Sequence, residues 1–350
     1  MIFRLAEQAD IERWEQYVRN HELASPYHKW AWGNAVTTAY GFEAHYFLAE
    51  DAGEIVGILP SVLLAGIFSK KLCSLPYCDL GGVLANSAEI ANQLIEFAQK
   101  FANSNNITQL EFRQLKSNDF NLSNEELGGK KVSMRLAMPS TSTELLASFK
   151  SKLRSQIHKA QKNGLSFKTG RSPEFLEHFY DVMCVNMRNL GSPVHSKLWF
   201  KQIINSFENN CLISVTYFES EPVAAGMILI NGNKASIPWA STKPQFNRLA
   251  PNMLLYWSLM EYCADNGVQE FDFGRSTFGE GTYKFKSQWG AKPLLLEWQE
   301  LKHGKLLINK TEAANGLKLK FKNLLIAIWR KLPLSLTITS GSKIRKYIDL

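Results

Sequence analysis

The chain has 350 residues, too many for one ordinary hydrophobic core and suited to two domains of about 150 residues each. Hydrophobic residues make up 45% of the chain and charged residues 21%, proportions of a soluble globular protein that exclude intrinsic disorder. The net charge of +8 is concentrated at one end, because residues 316–350 contain eight basic residues and one acidic residue while the rest of the chain is nearly neutral.

The N-terminal stretch MIFRLAEQADIERWE lacks the apolar core of a secretory signal peptide. The longest apolar run, residues 55–68, contains Pro60 and is too short to span a bilayer. The five cysteines include no C-x-x-C pair and are typical of reduced core thiols rather than of a disulfide or zinc framework. We therefore expect a cytoplasmic protein without a metal site.

Two segments of the chain share one pattern. Residues 45–64 have the pattern of an apolar strand, an acidic turn and a second apolar strand, and residues 212–230 repeat that order. Gly226 stands in the second segment where Gly57 stands in the first. The spacing between the two segments indicates an internal repeat.

A second repeated feature is a helix followed by a strand. A helical stretch over 88–104 leads into the strand ITQLEFR, and a helical stretch over 251–265 leads into the strand VQEFDFG. Glu111 and Asp272 occupy corresponding places in these strands. The alternative explanation is that any mixed α/β protein shows such similar segments by chance. Because a duplication explains length, order and spacing together, we predict a duplicated α/β unit.

Between the repeats, residues 141–163 carry the signals of one helix. Thr141 and Glu144 have capping-box spacing, and Gly164 follows the last turn. One face is apolar and the others are crowded with lysine, arginine and histidine. Such a basic face is usually only solvated. The alternative is that Arg154 faces a cleft and binds an anionic substrate group.

The stretch FDFGRSTFGEGTYKFKSQWGA, residues 271–291, combines glycines with basic and aromatic residues. A phosphate-binding loop needs a helix directly behind its glycines, whereas residues 282–289 alternate with the period of a strand, so we predict strand, turn, strand. Asp272 and Arg275 would then point into one cleft. Lys286 would either face a developing negative charge on the inner side of the sheet or point outward from an edge strand.

Familiar catalytic motifs are missing from the sequence. It contains no G-x-S-x-G, no H-E-x-x-H, no Walker loop and no G-x-G-x-x-G after a strand. Hydrolase and metalloenzyme chemistry is therefore poorly supported. Acyl transfer to an amine needs only oriented substrates, a route for the amine proton and a donor for the tetrahedral oxyanion, so it fits this inventory better.

Four segments, 247–298, 150–167, 25–82 and 328–348, carry a resemblance to a known family. The first, NRLAPNMLLYWSLMEYCADNGVQEFDFGRSTFGEGTYKFKSQWGAKPLLLEW, looks like the C-terminal signature of FemAB-related aminoacyltransferases, which are built from two GNAT-like domains. The second is similar to the basic helix that enters that family's second domain. The other two resemble the branch associated with exosortase/PEP-CTERM exopolysaccharide loci. The resemblance extends over roughly residues 3–348.

The resemblance implies an α/β fold, mixed α+β, of two tandem GNAT-like acyltransferase domains, each a mixed twisted sheet flanked by helices. In the family a Phe-Lys pair lies where the acyl carbonyl becomes an oxyanion, and the matching pair here is Phe285-Lys286. A basic residue of the inter-domain helix contacts a substrate phosphate, and Arg154 matches it. The remaining candidate substrate-binding residues are Tyr256, Arg275, Tyr283 and, in the first domain, Asp79.

We predict domains at 1–140 and 141–303 and a basic helical tail at 304–350. The predicted activity is transfer of an aminoacyl or acyl group, without a covalent enzyme intermediate, to an amine of a bacterial cell-envelope or exopolysaccharide precursor. That acceptor would be a small molecule, a glycan or a peptide. Lys286 would stabilise the oxyanion, and Asp272 would handle a proton or fix a basic neighbour.

No tightly bound cofactor is expected, and the acyl donor is left open between charged tRNA and acyl-CoA. The helical arm that some FemAB-related proteins insert, and that has been linked to tRNA, has no space in this sequence. Residues 275–281 differ from the pyrophosphate loop of acetyl-CoA enzymes, because the string is one residue too long and is predicted to enter a strand.

The tail includes a basic amphipathic segment at 317–332. It would lie either on the inner face of the cytoplasmic membrane, as a peripheral contact, or on the protein's own body with its lysines in water. This segment motivates an alternative function, a non-catalytic membrane-associated scaffold of polysaccharide biosynthesis. A further alternative is an acyl-CoA-dependent N-acetyltransferase.

Overall fold

The structure, a computed structural model, describes residues 1–66, 70–116, 122–302, 305–309 and 316–348. The elements before residue 141 are β1 (Ile2–Leu5), α1 (Ile11–Asn20), α2 (Trp30–Tyr40), β2 (Glu43–Asp51), β3 (Glu54–Ala65), β4 (Lys70–Cys73), β5 (Leu84–Ala85), α3 (Ala88–Ser104), β6 (Gln109–Leu115), α4 (Asn124–Leu127) and β7 (Lys131–Ala137). Short 3-10 turns occur at Gln8–Asp10 and Pro26–His28.

The second half of the chain repeats this order of elements. It contains α5 (Ser142–Ser148), α6 (Ser151–Lys162), β8 (Leu165–Gly170), α7 (Pro173–Leu190), α8 (Lys197–Phe207), β9 (Cys211–Phe218), β10 (Glu221–Asn231), β11 (Lys234–Thr242), α9 (Pro251–Asp265), β12 (Glu270–Thr277), α10 (Gly281–Ser287), β13 (Lys292–Lys302), β14 (Lys305–Ile308), α11 (Gly316–Lys331) and α12 (Leu334–Ile344). Its 3-10 turns are Glu208–Asn210, Pro244–Leu249 and Arg345–Tyr347.

The strands form one sheet in the order β1-β2-β3-β4-β6-β13-β7-β12-β11-β10-β9-β8, with β5 paired to β3 and β14 to β13. In the first half β1 to β4 are antiparallel and β4 is parallel to β6; in the second half β8 to β11 are antiparallel and β11 is parallel to β12. The two half-sheets therefore have the same topology, as the predicted duplication requires.

The two half-sheets meet through exchanged strands. β7, from the first half of the chain, pairs with β12 of the second, and β13, from the second half, pairs with β6 of the first. β13 also pairs with β7, which closes the centre of the sheet. Each half-sheet therefore contains a strand from the other half of the chain, so the sheet itself does not divide at one point of the sequence. The domain limits at 140 and 303 remain a prediction.

Both faces of each half-sheet are covered. Along β2, Phe47 and Ala49 pack on the α3 side while Tyr46 and Leu48 pack with Trp14 of α1. In the second half, α9 covers one face and α7 and α8 cover the other. These alternating apolar strands bury their side chains against helices, as expected for a sheet with two covered faces.

The helix predicted over 141–163 is two helices, α5 and α6. Thr141 caps α5 by accepting from the Glu144 amide, and Gly164 follows α6 with a φ of +82°, so both predicted ends are confirmed. The break falls at Phe149, whose backbone is extended (ψ 147°). Its ring is buried against Trp289, with centroids 5.4 Å apart, and this packing turns the chain between the two helices.

Candidate active site

The site begins where two parallel strands separate. β11 and β12 pair only from Lys234 with Glu270 to Ser236 with Asp272, and beyond that point both strands continue without pairing to each other. Crevices at the carboxyl ends of parallel strands are common ligand sites in α/β proteins. The buried side chain of Tyr27, from the first half of the chain, lies near Ser236 and Asp272 at this point.

A β-bulge follows directly on β12. Its pairing with β7 shifts register between Asp272 and Arg275, and Gly274 has a φ of +74°. The buried carboxylate of Asp272 stabilises the bulge, because its Oδ1 accepts from the Gly274 amide (2.7 Å) and from Ser133 Oγ (2.9 Å). Bulges of this kind re-aim backbone groups and are frequent beside active sites.

Lys286 reaches this bulge from α10. Its Nζ donates to the carbonyl oxygens of Gly274 (2.9 Å) and Arg275 (2.8 Å), and the residue is 8% exposed. Burial lowers the pKa of Lys286 to about 8, against the opposing effects of the Asp272 and Asp79 carboxylates. The amine is therefore mostly charged at neutral pH, with one of its three N–H groups not donated to any described residue.

The strand predicted for residues 282–289 is wrong, because residues 281–287 form helix α10. Tyr283, Lys286 and Trp289 lie on the inward face, at a helical spacing of three. The reason given above for excluding a phosphate loop therefore fails. Even so, α10 has only seven residues and its N-cap is the carboxylate residue Glu280, which would repel an anion.

The first half of the chain contributes Asp79. Its Oδ2 accepts from the Arg275 amide (3.2 Å), and its Oδ1 lies 3.3 Å from Arg275 Nε. The Arg275 guanidinium lies 4.8 Å from the ring centre of Trp298, whose indole N–H donates to the Asp79 carbonyl (3.2 Å). Asp79, Asp272, Arg275 and Lys286, each predicted as a site residue, are thus brought together.

Aromatic residues form one wall beside α10. The buried ring of Tyr256 lies 5.0 Å from that of Phe285 and is stacked on Phe273 at 5.7 Å. Burial raises the pKa of Tyr256 above its ordinary value, so this phenol is neutral. Tyr283 is half-buried with its ring 4.5 Å from that of Phe278. Phe285, next to Lys286 in the chain, therefore packs α10 against Tyr256 of α9.

Arg154 does not join this cluster through any contact among the described residues. Its Nη1 donates to the carbonyl oxygens of Ala147 (3.1 Å) and Phe149 (2.8 Å), at the C-terminal end of α5. A shallow groove of about 590 Å³ runs along α6 beside it, lined by Ser155, His158, Lys159, Gln161 and Lys162. The predicted basic helix therefore presents a basic groove, and Arg154 is not among its lining residues.

Sequence reasoning missed three residues of the site: Tyr27, Ser133 and Trp298. They lie in different segments, and no local pattern marks them as neighbours of Asp272 or Arg275. His28 is buried next to Tyr27 in the chain and contacts the Gly82 carbonyl through Nε2 (3.2 Å). Burial lowers the pKa of His28 to about 3. Within the described ranges, no group of three or more His, Cys, Asp or Glu residues is arranged to hold a metal ion.

Comparison with known proteins is consistent with this architecture. Residues 147–287 match the family model described as Acetyltransferase (GNAT) domain. The solved structure of FemX has a TM-score of 0.69 at 13% identity, over 93% of this chain and 100% of that one. L-PGS from Bacillus licheniformis has a TM-score of 0.55 at 12% identity, over 95% of this chain and 100% of that one.

A tandem GNAT protein from the clavulanic acid biosynthesis pathway has a TM-score of 0.52 at 10% identity, over 87% of this chain and 99% of that one. No curated protein matches in sequence. The predicted fold, two tandem GNAT-like units built on a mixed sheet flanked by helices, is confirmed.

Proposed function

We propose that this chain, whose residues 147–287 match the family model described as Acetyltransferase (GNAT) domain, transfers an aminoacyl or acyl group to the amine of a cell-envelope or exopolysaccharide precursor. One observation carries the proposal: the buried amine of Lys286 is fixed by two carbonyl oxygens at the bulge of β12. A lysine held this way, at the mouth of separating parallel strands, is a preorganised cation in a site of low polarity.

The reaction joins the acceptor nitrogen to the donor's carbonyl carbon and breaks that carbon's bond to the leaving oxygen or sulfur. One proton of the acceptor amine is lost, and the leaving group takes up a proton to become an alcohol or a thiol. Negative charge develops on the carbonyl oxygen in the tetrahedral intermediate. The third N–H of Lys286 would donate to that oxygen, while the other two remain on Gly274 and Arg275. One such donor is usually worth about 10² to 10³ in turnover.

The two carboxylates act on Lys286 rather than on substrate in this proposal. The Asp272 and Asp79 charges favour the protonated amine, which is the form that can donate to an oxyanion. Asp272 also holds the Gly274 amide and so fixes the carbonyl that Lys286 contacts. We therefore assign Asp272 a positioning role, one of the two roles considered for it from sequence.

The acyl donor is proposed from two classes, charged tRNA and acyl-CoA. FemX and L-PGS have folds similar to that of this chain. The tandem GNAT protein of the clavulanic acid pathway, also similar in fold, was solved without AcCoA. A charged tRNA and an acyl-CoA are both compatible with the reaction above. We propose that the donor is an ester or thioester, whose alcohol or thiol leaves as the acyl group passes directly to the acceptor without a covalent enzyme intermediate.

The test combines ligand binding with turnover. Thermal unfolding of the full chain is measured with acetyl-CoA, a longer acyl-CoA, charged tRNA and nucleotide-linked sugar precursors, since a ligand at 100 times its Kd adds about 2.7 kcal/mol. Turnover is then compared among the wild type, Lys286→Met and Lys284→Met. Lys284 is the matched control, because it is an exposed lysine on the same helix.

We expect Lys286→Met to reduce kcat by about 10² or more and Lys284→Met to leave it unchanged. Equal turnover in the wild type and a folded Lys286→Met variant would remove Lys286 from the mechanism. If none of the donors stabilises the chain or supports transfer, the acyltransferase proposal itself is wrong.

A further inference from the structure

Helix α11 exposes an unusually apolar surface. Phe321 is 62% exposed, Leu324 56%, Leu325 51% and Ile328 49%. Their spacing of three, four and seven residues places them on one stripe of the helix. Large apolar side chains in contiguous exposed patches mark interaction surfaces, whereas isolated ones need no explanation.

This stripe is not the face that holds α11 on the protein. Ile326 and Trp329 are half-buried, and Ile326 lies so close to Gly191, at the end of α7, that an added Cβ there would be 2.5 Å from its Cγ2. Arg330 donates to the Leu190 carbonyl beside it (3.4 Å). Ile326 and Trp329 are thus the attached side, and the exposed stripe points away from the body.

The charge of the same region has a single sign. Residues 316–348 contain eight lysines and arginines and no aspartate or glutamate, whereas the rest of the chain is almost neutral. Lys320 and Lys331 are exposed and lie along one edge of the apolar stripe on the same helix. An apolar stripe bordered by lysines is the pattern of helices that lie in the interface of an anionic bilayer.

We propose that α11 docks the protein peripherally on an anionic phospholipid bilayer, with the stripe Phe321, Leu324, Leu325 and Ile328 inserted among the acyl chains. Among the residues the structure describes, no helix has the length and apolar content to cross a bilayer, so the contact would lie in the membrane plane. A second copy of this chain is a poorer occupant, because two such surfaces of like charge repel each other. The inference does not depend on the proposed transferase activity.

The test is co-sedimentation of the full-length chain with vesicles, without substrates. Vesicles of phosphatidylcholine with phosphatidylglycerol are compared with vesicles of phosphatidylcholine alone, at 0.1 M and 1 M salt. Two variants are compared with the wild type: Phe321→Ser with Leu325→Ser, and the control Leu198→Ser. Leu198 is a similarly exposed leucine on another helix, α8. Circular dichroism establishes that each variant is folded.

We expect the wild type to bind the anionic vesicles, to bind less at high salt because charge is screened, and to lose affinity at least about tenfold in the double variant. The Leu198→Ser control should bind as the wild type does. Three results would overturn the proposal: no binding to anionic vesicles, binding unchanged in the folded double variant, or a dimer in solution that the double variant abolishes.

Discussion

Glu111 and Asp272 occupy the same position in the two halves of the sheet. Each is the third residue of its strand, and each faces the last paired residue of the preceding parallel strand, Cys73 for Glu111 and Ser236 for Asp272. Their surroundings differ. Glu111 accepts from Arg113 Nε (2.6 Å) and from Lys71 Nζ (2.7 Å), whereas Asp272 holds a backbone bulge. The duplicated position is an ion-pair centre in one half and a candidate active site in the other.

This difference predicts that two matched substitutions destabilise the protein to different extents. Glu111→Gln removes the carboxylate charge 2.6 Å from the guanidinium of Arg113, whose side chain is 1% exposed, and should lower the free energy of unfolding by about 3 kcal/mol or more. Asp272→Asn keeps an oxygen for Ser133 and Gly274 and should cost about 1 kcal/mol. Urea unfolding of both variants measures this. A larger loss for Asp272→Asn would contradict the assignment.

The buried amine of Lys286 predicts a pH-dependent stability. Its pKa is about 8 in the folded chain and near 10.5 when exposed, so between these values the unfolded chain binds the extra proton and stability rises with pH. Relative to Lys286→Met, the free energy of unfolding of the wild type should increase by about 3 kcal/mol from pH 8 to pH 10.5. Chemical denaturation over this range measures the difference between the two proteins. A constant difference would show that Lys286 is not buried.

The charge state of Lys286 also predicts how turnover depends on pH. If the charged form donates to the oxyanion, kcat should fall as pH rises through about 8. Asp272→Asn removes a charge that raises the pKa of Lys286, so this fall in kcat should move to lower pH. Glu280→Gln is the control, because Glu280 is not among the charges acting on Lys286. If kcat falls at the same pH in Asp272→Asn as in the wild type, the fall belongs to the ionisation of a group other than Lys286.

Gly274 and Gly279 allow a matched test of the bulge. Both have positive φ, +74° and +83°, and an added Cβ would meet no atom closer than 3.8 Å at Gly274 and none within 4 Å at Gly279. Alanine should therefore cost each site about 1 to 2 kcal/mol of backbone strain. Only Gly274→Ala should also reduce kcat, because the Gly274 carbonyl holds Lys286. Equal turnover in both variants would show that the geometry of the bulge does not affect catalysis.

Much of the fold was predictable because its elements are long and periodic. The helices over 88–104 and 251–265 have the predicted bounds, and the Glu111 and Asp272 correspondence is exact in strand register. Helix α10 was not predictable as a helix, because Tyr283 and Trp289 fit an alternation of two as well as a spacing of three over so few residues. The strand exchange of β7 and β13 was also beyond reach, because it depends on pairing between distant segments.

The part of the site that lies in one segment of the chain was predictable from sequence. Asp272, Arg275 and Lys286 lie in one short stretch rich in glycine and aromatic residues, so local sequence marked them. Tyr27 and Trp298 reach the site only because the halves of the chain fold against each other. Their contacts, with Ser236 and with the Asp79 carbonyl, are tertiary and leave no trace in local periodicity.

Arg154 offers a final test, because two roles for it predict different measurements. Its guanidinium donates to the Ala147 and Phe149 carbonyls, where the negative end of the α5 dipole lies. We expect Arg154→Ala to lower the free energy of unfolding by about 1 to 3 kcal/mol, since hydrogen bonds to a charged group are lost. Lys152→Ala, an exposed lysine on the same helix, should have little effect. Urea unfolding and KM are measured together for both variants. A raised KM with unchanged stability would instead assign Arg154 to an anionic substrate group, because only a residue that binds substrate changes KM without changing the fold.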